Sequence, residues 1–476
     1  MSSENRFLLH NATVVTGDTV KNGSVAIFGK KISNVWYPDE DGRVLLNGGD
    51  ELFCRLPETF RTLFPEATIY DLTGKLLFAG GIDTHVHFRE PGLTEKADIA
   101  SESLAAAAGG VTSFVDMPNT TPPTVSAERL AEKIKLADGR SFANFGFHIG
   151  ATNSNFDEIS SIMQNAETSE SFGGIKVFMG SSTGNMLVDS DSTLEKIFKM
   201  HDKTVLVHCE DEAIIRENIE KAMDRFGEDI PFREHENIRS RKACIKSSAK
   251  ALEMAIRHNT RLHLLHISTE EEVEMVKAAK KLNPYISAET SANYLWFSDM
   301  DYDKMGSRLK CNPSVKTPQD RSSLRKALLD GTIDTIGSDH APHRAEEKER
   351  KYLTAPSGLP SIQQSLPVLL TVANEEGIPL TRIASVFSEK AADLFGIRQR
   401  GKIKEGFFAD LTVVDPEKEF EPEKNDLMYK CGWSPYEGVR LKGKVETVFV
   451  SGTLTIDSSC PAQGCRPSGE KIIFEK

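Results

Sequence analysis

The chain has 476 residues, of which 27% are charged and 39% hydrophobic, and its formal net charge is −12. This composition predicts a soluble globular protein larger than one ordinary domain, and the acidic balance argues against nucleic acid or an anionic membrane as partner. No apolar run approaches the ~18 residues of a membrane span, and the seven scattered cysteines favour the reducing cytoplasm over a disulfide framework.

Both ends of the chain carry short predicted strands broken by Gly, Asp and Asn, over residues 7–36 and 402–457. Each set is thin by itself, so we expect the two to combine into one small composite β-sandwich. Residues 38–65 look like an insertion within it. The expected division is 1–74 and 399–476 for the sandwich, and 75–398 for a central domain.

In the central domain, strand-like and helix-like stretches alternate. The predicted strands are 76–88, 112–117, 143–151, 174–179, 204–209, 261–267, 285–289 and 332–338. The predicted helices are 97–108, 126–138, 195–201, 212–258, 269–281 and 320–329. Eight strand–helix units predict an α/β fold, a (β/α)8 TIM barrel. A doubly wound open sheet is the alternative, less favoured because no Gly-x-Gly-x-x-Gly follows the first strand.

The first predicted strand ends in two histidines, His85 and His87, followed by Arg89. Residues two apart in a strand point to the same face, so both imidazoles can aim at one point. Neutral imidazoles suit a divalent metal, zinc first among them. Arg89 suits a carboxylate, which it can bind bidentately. The alternative is a strand end with two solvated histidines.

Other strand ends carry polar residues of the same kinds, and barrel enzymes place their catalytic groups at these ends. The residues concerned are Asn119, His208, His266, Asp339 and His343. Each has a structural alternative: His208 and His266 as buried histidines, Asp339 as a helix cap, Asn119 as a turn residue. Together they are hard to obtain by chance and favour a metal-dependent active site.

Lys176 lies within the apolar strand Gly174-Ile-Lys-Val-Phe-Met-Gly180. Burying an ammonium group is costly, and burial lowers the pKa of a lysine. The neutral amine can take up CO2 and form a carbamate, an anion able to bridge two metals. The alternatives are a lysine that reaches the rim or pairs with a carboxylate, with Asp189 as the bridge instead.

The remaining histidines show no ligand pattern. We expect His263, His340 and Cys209, the neighbour of His208, to point away from the site. Surface or packing roles are expected for His10, His148, His201, His235 and His258.

Taken together, six motifs resemble the dihydroorotases, in the cyclic-amidohydrolase branch of the amidohydrolase superfamily, of the long, type I-like kind. They are His85-Val-His-Phe-Arg-Glu-Pro-Gly92, Gly109-Gly-Val-Thr-Ser-Phe-Val-Asp-Met-Pro-Asn-Thr120, His208-Cys-Glu-Asp211, His266-Ile-Ser268, Lys310-Cys-Asn-Pro313 and Ser338-Asp-His-Ala-Pro-His343. They span nearly the whole predicted barrel, and the combination is highly specific.

The resemblance implies a binuclear zinc centre. His85, His87 and Asp339 would bind one ion, His208 and His266 the other, with a carboxylated Lys176 and a hydroxide as bridges. It also implies a set of substrate-binding groups: Arg89, Asn119, Asn312, His343 and the backbone at Ser357 and Gly358.

The implied reaction is the reversible cyclisation of N-carbamoyl-L-aspartate to L-dihydroorotate in pyrimidine (UMP) biosynthesis. In the hydrolytic direction the metal-bridging hydroxide would attack the ring amide, with Asp339 as general base and then general acid. We expect a cytoplasmic homo-oligomer that acts on small molecules and binds neither nucleic acid nor membrane.

One departure concerns the strand of Lys176. Many long bacterial dihydroorotases carry an aspartate there, whereas this strand is similar to the carboxylated-lysine strand of hydantoinases and allantoinases. Arg89 favours dihydroorotase, because hydantoinases lack a matching arginine and allantoinases resemble Asn-Glu-Pro-Gly at this motif. The alternatives are a dihydropyrimidinase, hydantoinase or allantoinase, or a non-catalytic scaffold, although no ligand position is missing.

Overall fold

The computed structural model describes residues 5–38, 43–45, 51–53, 66–180, 186–458 and 465–475. One sheet contains strands from both ends of the chain, and a run of parallel strands with helices between them occupies the middle. The predicted α/β class and the composite origin of the terminal sheet are confirmed. None of the described helices combines the length and the apolar character needed to cross a bilayer.

The terminal sheet has eight strands. They are β1 Arg6–Val15, β2 Val20–Phe28, β3 Lys31–Trp36, β6 Thr68–Asp71, β7 Leu76–Ala79, β17 Leu411–Phe420, β18 Leu441–Val450 and β19 Thr453–Asp457. Their order is β19-β18-β17-β7-β1-β2-β3, with β6 beside β1. Within the predicted insertion 38–65, β4 Arg43–Leu45 pairs with β5 Glu51–Phe53, and most of the remainder lies outside the described residues.

The predicted strand 76–88 is wrong as a single strand. Its first part, β7, pairs with β1 and β17 in the terminal sheet. Its second part, β8 (Gly81–Val86), pairs with the next parallel strand. Gly80 separates them, and a Cβ there would lie 2.2 Å from the Thr112 side chain. An apolar run does not reveal that its two halves bond to different sheets, because distant segments supply the partners.

The parallel strands follow one another in chain order. After β8 come β9 Val111–Asp116, β10 Asn144–Phe147, β11 Ile149–Gly150, β12 Gly174–Phe178, β13 Thr204–His208, β14 Leu262–Leu264, β15 Ile286–Thr290 and β16 Thr335–Ile336. They form the sheets β10-β9-β8 and β11-β12-β13-β14-β15-β16. Beyond β16, His340 forms an isolated parallel bridge with Val86 of β8. All eight predicted strand positions hold a strand. The predicted strand 143–151 is wrong as a single strand, because β10 and β11 lie in different sheets, and β14 and β16 are shorter than expected.

Helices lie between the strands and follow the last of them. The α-helices are Ile99–Ala108, Ala127–Ala137, Phe156–Gln164, Ala166–Ser169, Asp191–Phe198, Glu212–Phe226, His235–Ile238, Arg241–His258, Glu270–Ala279, Ala292–Trp296, Tyr302–Met305, Pro318–Asp330, Ala345–Lys348, Ser365–Glu376, Leu380–Ala384 and Lys390–Phe395. The predicted single helix 212–258 is wrong, because three helices occupy it. Gly227, with φ +60°, ends the first of them, and Pro231 follows it; both residues are typical of helix ends.

The end of the chain returns to the parallel strands. Lys471 forms a parallel bridge with Phe145 of β10. Phe474 is fully buried and packs on Gly146, where a Cβ would lie 2.6 Å from its ring. The last described residues therefore contact the central domain, whereas the sequence placed them in the sandwich.

Candidate metal centre and substrate pocket

Three of the predicted ligands meet at one end of the parallel strands. His85 lies at the end of β8, His87 just beyond it, and Asp339 in the loop after β16. Asp339 Oδ1 lies 3.3 Å from His85 Nε2 and 3.1 Å from His87 Nε2. Their donor atoms lie within 4.8 Å of one another, and two imidazoles with a carboxylate suit zinc. This cluster could hold a metal ion.

The other two predicted histidines also meet. His208 Nδ1 lies 2.9 Å from His266 Nε2, and the rings of His266 and His85 are centred 5.2 Å apart. Burial lowers the pKa of His85, His208 and His266, so all three are held neutral. The Nε2 of His208 lies 3.1 Å from Glu210 Oε2, and this nearby carboxylate favours a proton on Nε2, which leaves the Nδ1 lone pair facing His266. Unprotonated nitrogens of this kind are what a metal requires.

Lys176 lies on β12 beside these rings. Its side chain is buried, and Nζ lies 4.5 Å from the centre of the Phe178 ring. Burial lowers the pKa of Lys176 to about 7, against the opposing effect of Asp339 and Glu289. The alternative bridge, Asp189, is exposed and accepts a hydrogen bond from Asn153 Nδ2 at 2.8 Å. Lys176, not Asp189, therefore lies in the pocket.

These groups line a single pocket. Its walls are His85, His87, Arg89, Lys176, Phe178, His208, His266, Asn312, Asp339, Ala341, Ser357 and Gly358. All six predicted metal ligands and four of the six predicted substrate residues are among them. The structure thus brings together residues that span more than half of the chain.

Arg89 supplies the positive charge of this pocket. Its side chain is buried, and its Nε donates to the Pro342 carbonyl at 3.1 Å. Burial lowers the pKa of Arg89 to about 10, so it remains a cation at neutral pH. Arg89 follows the end of β8 and has a φ of +68°. A left-handed turn, not the alternation of a strand, therefore directs its side chain to the pocket.

His266 and Asp339 share this left-handed conformation, with φ of +37° and +48°. Such backbone is costly for residues other than glycine and is concentrated at functional sites. At Asp339 the neighbouring residues fix it, since Ser338 N donates to Asp83 and His340 N donates to Ser338 Oγ at 3.1 Å. The surrounding hydrogen bonds therefore determine where this carboxylate points.

Asn312, Ser357 and Gly358 also line the pocket. Asn312 Oδ1 is buried and has no hydrogen-bond partner among the described residues, so it can accept from a ligand. The Gly358 N–H donates to the Lys310 carbonyl at 2.9 Å. That amide is engaged within the protein and does not point freely into the pocket.

Asn119 and His343 lie behind the wall. Asn119 Oδ1 accepts from His87 Nδ1 at 2.8 Å, which leaves the Nε2 lone pair of His87 facing Asp339. His343 Nε2 lies 3.1 Å from Arg89 Nη2 and 3.1 Å from the Ser357 carbonyl. Both predicted substrate residues therefore contact residues of the pocket wall.

Sequence reasoning missed three buried carboxylates beneath the histidines. Glu289 Oε1 lies 2.6 Å from His85 Nδ1, Asp83 accepts from the backbone N–H of His85 at 3.0 Å, and Glu210 contacts His208 and Arg239. Burial raises the pKa of Asp83 to about 7. The signal in the sequence was the position of Glu289 within a predicted strand, where the structure buries it completely.

Two buried lysines join the loops that carry Asn312, Ser357 and Gly358. Lys348 Nζ donates to the carbonyls of Lys310, Pro356 and Gly358 at 2.9–3.1 Å. Lys310 Nζ donates to the carbonyls of Tyr352 and Ala355 at 2.6 and 2.7 Å. The loops that present Asn312 and Ser357 are therefore tied to each other.

The histidines expected to be structural bond elsewhere. His263 Nδ1 lies 2.8 Å from Ser287 Oγ, and His340 Nε2 lies 2.7 Å from Glu102. Neither lines the pocket. Cys209 is buried and also lies outside the lining.

Comparison with known proteins agrees with this geometry. A model of the Amidohydrolase family matches residues 76–455. A dihydroorotase of Methanosarcina acetivorans is 34% identical over 439 residues, 89% of this chain and 90% of the relative. An allantoinase of Desulfitobacterium hafniense is 28% identical over 460 residues, 94% of each chain. A solved L-hydantoinase (dihydropyrimidinase) from Arthrobacter aurescens superposes with a TM-score of 0.86 at 24% identity, over 98% of this chain and 99% of that one.

The chain therefore belongs to the Amidohydrolase family. Within that family it is similar to dihydroorotases, including further archaeal ones such as that of Halobacterium salinarum, 34% identical over 75% of this chain. The resemblance predicted from the motifs is confirmed.

Proposed function

We propose that this protein is a zinc-dependent dihydroorotase, which interconverts N-carbamoyl-L-aspartate and L-dihydroorotate. The observation that carries the proposal is Arg89, a buried guanidinium in the wall of the same pocket as the histidine–aspartate cluster. A cyclic amide without a carboxylate would leave this cation unpaired, which is costly in a buried site. Turnover of L-dihydroorotate, compared with dihydrouracil and allantoin, tests the proposal directly.

The residues present fit a binuclear zinc centre. His85, His87 and Asp339 would hold one ion and His208 and His266 the other, since these five side chains converge in one pocket. Zinc bound there would supply a nucleophilic hydroxide at neutral pH and polarise the ring carbonyl. No ligand position is missing, which argues against a non-catalytic scaffold.

Asp339 is suited to proton transfer. Burial opposes its ionisation, but neighbouring groups that include the hydrogen-bonding His87 lower its pKa overall, so it is ionised and able to accept a proton. It would then donate that proton to the departing ring nitrogen, acting as base and then acid. Arg89 would hold the substrate carboxylate, and Asn312 Oδ1 would accept from a ring N–H. His343 and Asn119 would act from behind the wall.

We further propose that Lys176 carries a carbamate that bridges the two ions. Four neutral imidazoles leave two divalent ions with little anionic compensation, and an ammonium here would add a positive charge. The lowered pKa of Lys176, about 7, supports a neutral amine that reacts with CO2. The carbamate forms by attack of Nζ on CO2, with loss of one proton from the nitrogen.

A hydantoinase or allantoinase is the second candidate, because the strand of Lys176 resembles theirs and the solved hydantoinases share this fold. Allantoin or dihydrouracil turnover above that of dihydroorotate would favour it.

For the architecture, we propose that the parallel strands β8 to β16 close into a (β/α)8 barrel. The Val86–His340 bridge supports this closure. The strands of the terminal sheet would form the β-sandwich. The predicted boundaries 1–74, 75–398 and 399–476 therefore shift, because β7 (Leu76–Ala79) belongs to the terminal sheet and Lys471 and Phe474 contact the parallel strands. Self-association into a homo-oligomer stays a prediction that sedimentation of the purified protein would test.

A further inference from the structure

Lys96 lies outside the pocket lining and contacts the ring nitrogen of His343 that does not face Arg89. Its Nζ lies 3.2 Å from His343 Nδ1 and 3.0 Å from Glu347 Oε1. The other ring nitrogen of His343 lies 3.1 Å from both Arg89 Nη2 and the Ser357 carbonyl. His343 is thus placed between two cations and one acceptor.

These three contacts cannot all be hydrogen bonds of a neutral imidazole, which has one donor and one acceptor nitrogen. If Nδ1 accepts from Lys96, then Nε2–H donates to the Ser357 carbonyl, and two contacts are satisfied. If Nε2 instead accepts from Arg89, then Nδ1–H faces the Lys96 ammonium and the Ser357 carbonyl loses its donor. Glu347 Oε2, 4.0 Å from Nδ1, is too distant to accept that proton. The first arrangement is favoured.

In that arrangement Arg89 makes no hydrogen bond to His343. Its Nε is held by the Pro342 carbonyl, and Nη2 keeps its protons for a ligand in the pocket. We propose that Lys96 is a positioning residue that acts through His343: by donating to Nδ1 it fixes the ring tautomer and keeps the Arg89 guanidinium free for the substrate carboxylate. This inference rests on the proposed function and adds a specificity determinant to it.

Replacing Lys96 with Met should free the ring to adopt the other tautomer and capture Arg89. We expect the KM for dihydroorotate to rise about tenfold or more while kcat stays within about threefold, the pattern of lost substrate binding. K96R keeps a charged donor and should restore the KM to within about threefold of the wild-type value. Lys135→Met removes the same charge from an exposed helical position and should leave both constants unchanged.

An unchanged KM in K96M, or a fall in kcat alone, would overturn the proposal. A neutron structure of the wild-type protein provides a second test that needs no activity and no variant. Deuterium is expected on His343 Nε2, and deuterium on Nδ1 would be decisive against the proposal. Absence of dihydroorotate turnover by the wild-type protein would instead overturn the proposed function. The neutron structure would then still show which nitrogen of His343 is protonated.

Discussion

Glu289 and His85 contact each other beneath the pocket, with Oε1 of the carboxylate 2.6 Å from Nδ1 of the ring. Both side chains are almost fully buried. The contact places the proton on Nδ1 and leaves Nε2 of His85 directed at Asp339. Gly337 makes room for the carboxylate, because a Cβ there would lie 2.3 Å from Glu289 Oε2.

Glu289→Gln should therefore weaken zinc binding. An amide at this position cannot supply the negative charge that orients the imidazole and raises its basicity, and the loss of such a partner typically costs about 10- to 100-fold in metal affinity. Competition with a chelating indicator would measure it. Glu102→Gln is the matched control, since Glu102 is a buried carboxylate 2.7 Å from His340 outside the pocket. Equal zinc affinity in both variants would contradict the role of Glu289.

Arg89→Met should remove the preference for a carboxylate-bearing ring. Loss of one partner from a buried charge pair costs ~2–5 kcal/mol. The kcat/KM for dihydroorotate should therefore decrease by a factor between about thirty and several thousand. Turnover of dihydrouracil, which has no carboxylate, should not fall in parallel. A uniform decrease with both substrates would show that the variant damages the site in general.

Asp339→Asn should abolish most turnover while much of the zinc is retained. The amide preserves the shape of the side chain and one oxygen ligand but cannot carry a proton from attack to departure. Steady-state kinetics and elemental analysis of the same preparation would separate the two effects. If turnover stays near the wild-type rate, another group, such as His343, moves the proton.

Lys176→Ala should lose zinc and activity together. Without the proposed carbamate, the two metal sites share no anionic bridge, and a short carboxylic acid such as acetate should partly restore both. Lys135→Ala, at an exposed position, should bind zinc normally. A density map with an unmodified Lys176 beside two fully occupied metals would refute the carbamate.

Lys176 also predicts how stability depends on pH in metal-free, CO2-free protein. Its pKa is about 7 in the folded state against 10.5 for an ordinary lysine, so the unfolded chain binds more protons between these values. The free energy of unfolding should therefore rise with pH above 7, by on the order of a few kcal/mol over the whole interval. Denaturant unfolding of wild type and Lys176→Met between about pH 7 and 9 would measure it. The same slope in both proteins would contradict the assignment to Lys176.

The sequence by itself predicted a set of residues, most of which the structure brings together in one pocket. His85 and His87 are two residues apart, and in a strand this spacing alone places both side chains on one face. Lys176 lies within an apolar strand, and this local pattern alone predicts that the amine is buried. The order of the parallel strands also followed from the alternation of patterns along the chain.

Only the tertiary structure decided how these residues are oriented. The division of 76–88 between two sheets depends on partners far away in the chain. The partners of His85 and His343, namely Glu289 and Lys96, are 204 and 247 residues distant. Which ring nitrogen of an imidazole carries the proton depends on the groups that face the two nitrogens. For residues so far apart in the chain, these groups are known only once the chain has folded.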